Sequence, residues 1–125
     1  MTPSILSLHH VTATVDDAQA DLDFCLDALG LRLVKKTVNF DNHHVYHFYY
    51  GTERGVPGTI WTTFPYKDHG VRVGAKGAGQ VVTTSFSVPA ASLGFWRPYG
   101  GRLRPGCETL RVMRQRAVTL AGFCL

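Results

Sequence analysis

Residues 6–15, LSLHHVTATV, followed at once by residues 16–30, DDAQADLDFCLDALG, constrain this chain more than any other stretch. Apolar and β-branched residues dominate the first run, which reads as a buried strand ended by Asp16 and Asp17. The period then changes. Ala18, Leu22, Cys25, Leu26 and Leu29 fall on one helical stripe, Asp16 with Gln19 makes a capping-box-like start, and Gly30 suits a C′ stop. Asp21, Asp23 and Asp27 are expected on the solvated outer face of that helix. Three further strands are predicted at 31–39, 43–51 and 59–64, with turn chemistry at 40–42, a glycine-rich loop at 51–58, and Pro65 ending the last strand. The order is β-α-β-β-β and the fold class α+β.

A four-stranded sheet with one helix has one face uncovered, and about 65 residues rarely close a core alone. The open face is expected to take a second copy of the module. That pairing would make a cupped cavity for a metal and a small substrate, and would favour a homo-oligomer. A fainter copy follows in the chain itself. After a glycine-rich linker at 67–80, VVTTSFSV (81–88) alternates like the first strand and PAASLGFW (89–96) resembles a helix start, a repeat at about 75 residues. The expected organisation is a first module at 1–66, the linker, an incomplete second module at 81–96, and a tail at 97–125.

Charge separates the tail from the body. Residues 1–94 carry seven Lys or Arg against eight Asp or Glu, a net of −1, whereas residues 95–125 carry six Arg and one Glu, a net of +5; the sum is the chain's +4. The body therefore offers no electrostatic footprint for nucleic acid. The tail, with Arg and no Lys, reads as the aberrant end of a longer parent; the alternative is an Arg-rich helix over 108–120 for acidic partners. No apolar run reaches the roughly 18 residues of a membrane span, and the first residues lack a signal peptide's basic region. Cys25, Cys107 and Cys124 fit neither a disulfide framework nor a CxxC site, which points to a reducing, cytoplasmic setting.

The histidines carry the chemistry. Strand parity puts His10 and Thr12 on one face and His9 on the other. An imidazole in an apolar strand needs a partner, which can be a metal ion, a backbone carbonyl or water. His47 and Tyr49 share one face of the third strand, with His44, Tyr46, Phe48 and Tyr50 on the other. His47 could hydrogen-bond a substrate hydroxyl and Tyr49 could supply an O–H, or both could simply pack. The glycine-rich stretches at 51–58 and 74–79 lack GxxxxGK[ST] and do not open a helix as a GxGxxG must, so they are not phosphate loops.

Taken together, LHHVTATVDD, LDF, ALGLRLVKKTVNFD, YHFYYG, GVPGT, TTFP, GAGQV and SFSVP resemble the start of a ring-cleaving dioxygenase. The family is the hydroquinone-type group of the vicinal oxygen chelate (glyoxalase, bleomycin-resistance, dioxygenase) superfamily, and the likeness covers about residues 5–96. It implies paired βαβββ modules holding Fe(II) through two His and one carboxylate, with Mn(II) or Zn(II) as alternatives, for O₂-dependent cleavage of an aromatic diol. It implies that His10 is a metal ligand and that His9 and Thr12 act beside the substrate. The remaining His and Glu ligands would lie beyond residue 125, so this chain alone is expected to be inactive. Two alternatives are a non-catalytic module of the drug-resistance type and a glyoxalase-like metal isomerase. Against the isomerase, the fourth strand carries no carboxylate.

Overall fold

The structure, a computed structural model, describes residues 4–5, 7–71, 75, 77–79, 84, 86–92, 94–96, 110–113 and 117–120. Its contacts divide the chain into two units, Met1–Val73 and Gly74–Leu125. In the first unit, β1 (His10–Val15), α1 (Ala18–Asp23), β2 (Arg32–Val38), β3 (Tyr46–Gly51) and β4 (Ile60–Pro65) follow in the expected order. They form one mixed sheet in the spatial order β1-β4-β3-β2, in which β1 runs parallel to β4 and the other pairs are antiparallel.

Helix α1 starts one residue later than expected. Asp17 is the cap, its carboxylate accepting from the Ala20 N–H at 2.9 Å, while Gln19 donates to Asp23 rather than back to the start. Lys67 binds the other oxygen of Asp17 at 2.9 Å, tying the helix entrance to the chain leaving β4. Beyond Asp23 the helix widens into a π turn, Phe24–Ala28, where Leu29 N–H reaches back five residues to the Phe24 carbonyl. The Leu31 N–H then bonds the Cys25 carbonyl, and Gly30 takes the φ of +64° that this closure needs.

Asp21 does not lie on the solvated face. It is 8% exposed and lies in the core with Cys25, Phe48, Tyr50 and Trp61. Its carboxylate accepts from Tyr50 Oη at 2.7 Å, from Thr63 Oγ1 at 2.5 Å and, more weakly, from Cys25 Sγ at 3.7 Å. A buried acid needs such partners, and here the sheet supplies two hydroxyls.

Burial, reinforced by that carboxylate, pushes the Cys25 thiol and the Tyr50 hydroxyl well above their ordinary values of 9.0 and 10.0. Both stay protonated in the fold while the unfolded chain ionises. Their contribution is therefore complete below the unfolded values and is lost as pH rises past them. Stability is expected to hold up to about pH 9 and then to fall by up to about 1.4 kcal/mol per pH unit for each group. Urea midpoints between about pH 8 and about pH 11 check this, and a Cys25→Ala chain should show the shallower slope.

The first strand is not the buried strand its composition suggests. Ala13 is its one buried residue; Leu8, before it, is 74% exposed and Val11 38% exposed. One face of the sheet packs on the helix, and the face carrying His10 and Thr12 is open among the described residues. The premise that His10 is desolvated by its own strand is thereby overturned.

A bulge at Val34 resets the faces of β2. Leu33 pairs with Tyr50 and Lys35 with Tyr49, so the residue between them is extra and the faces exchange there. Val34 then presses on the glycine-rich loop. A Cβ on Gly55, at φ +57°, would sit 2.7 Å from a Val34 methyl, so glycine is needed there on both counts.

The second unit holds a 3₁₀ turn, Ala90–Ser92, closed by the Ser92 N–H on the Pro89 carbonyl. It also holds an antiparallel pair, β5 (Leu110–Met113) and β6 (Ala117–Leu120). The pair replaces the Arg-rich helix considered for 108–120. Each segment is a short run containing β-branched residues, which pairs more readily than it holds helical hydrogen bonds. Of the strand expected at 81–88, residues 81–83 and 85 lie outside the described residues. So do Cys107 and Cys124.

Candidate functional site

Pairing in β1, β4 and β3 assembles the site. Thr12 stands opposite Thr62, and Thr62 opposite Tyr49, so all three share a face, as do His10 and His47 two residues along their strands. Thr37 opposes His47 and Lys35 opposes Tyr49, which extends the same face to the sheet edge. The open face thus brings together His10, Thr12, His47 and Tyr49; strand parity predicts the two pairs, and the ladder through β4 puts them on one face.

His9 departs from parity. It precedes β1, and its Nδ1 lies 2.9 Å from His10 Nδ1, with the two rings edge to face at 5.2 Å. One of these nitrogens donates and the other accepts, leaving His10 Nε2 as the nitrogen to offer a ligand. Gly58 fixes the arrangement: its N–H donates to the His9 carbonyl at 2.7 Å, and its φ of +87° is one a side chain rarely adopts. The loop that resembles a phosphate cradle is therefore a clamp on the backbone of His9. The signal for it was the excess of glycine between two strands, without a helix behind it.

Thr62, fully buried, was not singled out from the sequence. Its hydroxyl pairs with that of Thr12 at 2.8 Å and so fixes the direction of a group on the open face. Beside it His47 stacks on Phe64, ring centres 4.0 Å apart, and tilts against Tyr49 at 4.2 Å. His47 Nε2 is buried without a hydrogen-bond partner. Burial first, then the charges of His10 and Lys35, lower the pKa of His47 and favour the neutral ring. A neutral imidazole can accept from a hydroxyl at one nitrogen and donate from the other.

A centre of two His and one carboxylate needs three protein donors at once. Among the described residues no group of three His, Cys, Asp or Glu is placed to hold a metal ion. Strands β1 to β4 contain no carboxylate at all. The described residues do not complete such a centre. Nor is any helix among them long and apolar enough to cross a membrane.

No family model matches the chain. It is 54% identical over 90 residues to MhqE of Bacillus subtilis, provisionally named a ring-cleaving dioxygenase, a match covering 72% of this chain and 29% of the relative. It is 44% identical over 93 residues to the chlorohydroquinone/hydroquinone 1,2-dioxygenase of Sphingobium indicum, covering 74% of this chain and 29% of that one. The chain thus spans under a third of the length of these relatives. A crystal structure from Bacillus subtilis, provisionally described as a dioxygenase, superposes with a TM-score of 0.73 at 42% identity, covering 89% of this chain and 34% of that one. The fosfomycin resistance protein FosX of Listeria monocytogenes, solved with Mn(II), superposes with a TM-score of 0.58 at 11% identity, covering 92% of this chain and 82% of FosX, a likeness of fold alone. The fold is α+β of the vicinal oxygen chelate type, and the chain is homologous to one part of the ring-cleaving dioxygenases.

Proposed function

We propose that a chain homologous over three quarters of its length to part of the ring-cleaving dioxygenases contributes the first βαβββ module of such an enzyme. Its reaction would be the O₂-dependent opening of a dihydroxylated aromatic ring, with Fe(II) in preference to Mn(II) or Zn(II). The observation that carries this reading is the shared sheet face, on which strand pairing gathers His10, Thr12, His47 and Tyr49.

Each residue has a role this chain can perform by itself. His10 offers Nε2 as one metal donor, while His9 holds its other nitrogen. Thr12, aimed by Thr62, presents a hydroxyl to the ring's oxygens. Tyr49 and Phe64 supply apolar area against the ring, and His47 can turn its unpartnered nitrogen to a ring hydroxyl. The remaining donors must come from outside the described residues. We further propose that the protein works in the cytoplasm as a homo-oligomer, without nucleic acid.

The test is a graft of residues 5–96 in place of the matching segment of the Sphingobium enzyme. A folded graft is expected to take up oxygen with hydroquinone within about tenfold of its host, whereas the 125-residue chain with Fe(II) should take up none. A folded, iron-loaded graft without uptake overturns the reading, as does robust uptake by the chain alone. The incomplete donor set favours a second reading, a metal-free binding module for a planar ligand.

A further inference from the structure

We infer that the open sheet face prefers aromatic rings bearing an anionic substituent, and that Lys35 is the residue that sets this preference. The inference rests on the reading that the face receives an aromatic ring, and it names which rings.

The bulge at Val34 is what turns Lys35 onto this face, opposite Tyr49. Its Nζ lies 5.5 Å from the centre of the Tyr49 ring. From there the rings continue inward, Tyr49 to His47 at 4.2 Å and His47 to Phe64 at 4.0 Å. Arg32, opposite Gly51, adds a second permanent cation two residues along the same face; the row itself is a set of tilted and stacked rings with the Lys35 ammonium at its outer end. That cation has no carboxylate partner among the described residues, where the one ion pair is Lys67 with Asp17. No acid stands anywhere in β1 to β4 to repel an anion. The field of Lys35 also extends inward, since its charge is felt at His47.

A neutral diol gains at most a hydrogen bond or a ring contact from such a cation, and no ion pair. A ring carrying a carboxylate, laid against Tyr49 and His47, brings its negative charge toward Nζ. Lys35 is exposed, so the attraction is screened and its effect is modest. Lys36 provides the matched comparison. It is the next residue on the same strand and carries the same charge, but it pairs with Phe48 on the helix side, 4.5 Å over the Tyr46 ring.

The experiment titrates the full 125-residue chain with hydroquinone and with 2,5-dihydroxybenzoate, read by ligand-observed NMR at low salt. The carboxylate is expected to bind about three- to fivefold more tightly, a preference that added salt weakens. Lys35→Gln should remove most of the preference, Arg32 leaving a remainder, with a smaller change in hydroquinone affinity, and Lys36→Gln should retain it. Equal affinities in the unaltered chain overturn the inference and spare the ring-binding reading. Equal losses in the two lysine variants also overturn it, because they would assign the preference to net charge. If neither probe binds, the inference falls together with the reading beneath it.

Discussion

Asp21→Ala is expected to destabilise the first unit by about 3–5 kcal/mol, read as a fall in the urea midpoint or as outright loss of the folded circular-dichroism signal. The size follows from what the carboxylate holds. Tyr50 and Thr63 are both fully buried, and both direct their hydroxyl protons at Asp21. Deleting the carboxylate leaves two donors in the core with no acceptor, each costing about 1–3 kcal/mol, and adds a small void. A domain of this size has only about 5–15 kcal/mol in total. Asp21→Asn keeps one carbonyl oxygen and should cost about half as much. Pairing Asp21→Ala with Tyr50→Phe tests the cause. If the penalty comes from orphaned hydroxyls, the double variant is more stable than the sum of the single effects predicts, by about 1 kcal/mol or more. Additive losses would show that Asp21 acts by filling space alone.

That acid also shows where sequence reasoning stops. The order of elements along the chain was legible because each strand is a short β-branched or aromatic run bounded by Gly, Pro or Asp, whereas their order in the sheet was not. The sharing of a face by His10 and Thr12, and by His47 and Tyr49, followed from a period of two in strands that run without a bulge; that the two pairs lie on the same face required the ladder through β4. Asp21 was misread because a helical stripe is drawn by counting apolar residues, and a polar residue beside it is assigned to water. Its two hydroxyl partners lie 29 and 42 residues downstream, on strands whose pairing only the fold fixes. His9 was misplaced for a related reason. Parity assumes that the strand has already begun, whereas a single bond from Gly58 holds that backbone before β1 starts. Lys35 was not a candidate for the site, because the Val34 bulge that turns it toward Tyr49 leaves no trace in local composition.

His10→Ala, placed in the grafted enzyme, is expected to lower retained iron at least about a hundredfold and to abolish oxygen uptake. The reasoning is a count of donors. A three-donor site that loses one keeps two, and the lost contribution exceeds the tenfold to hundredfold typical of outer groups. The fold should survive, because His10 is exposed and its ring meets another exposed ring, that of His9. His9→Ala separates the two imidazoles. It removes the nitrogen that occupies His10 Nδ1 but leaves the donor in place, so iron retention should fall by only about tenfold. His9→Gln, whose amide can still meet that nitrogen, should recover part of the loss. Iron per protein, measured after dialysis, distinguishes these outcomes without any assay of turnover. Retention unchanged in His10→Ala would remove this imidazole from the metal site. Equal losses in His9→Ala and His10→Ala would instead make the pair a joint ligand set, and His9 more than a support for its neighbour.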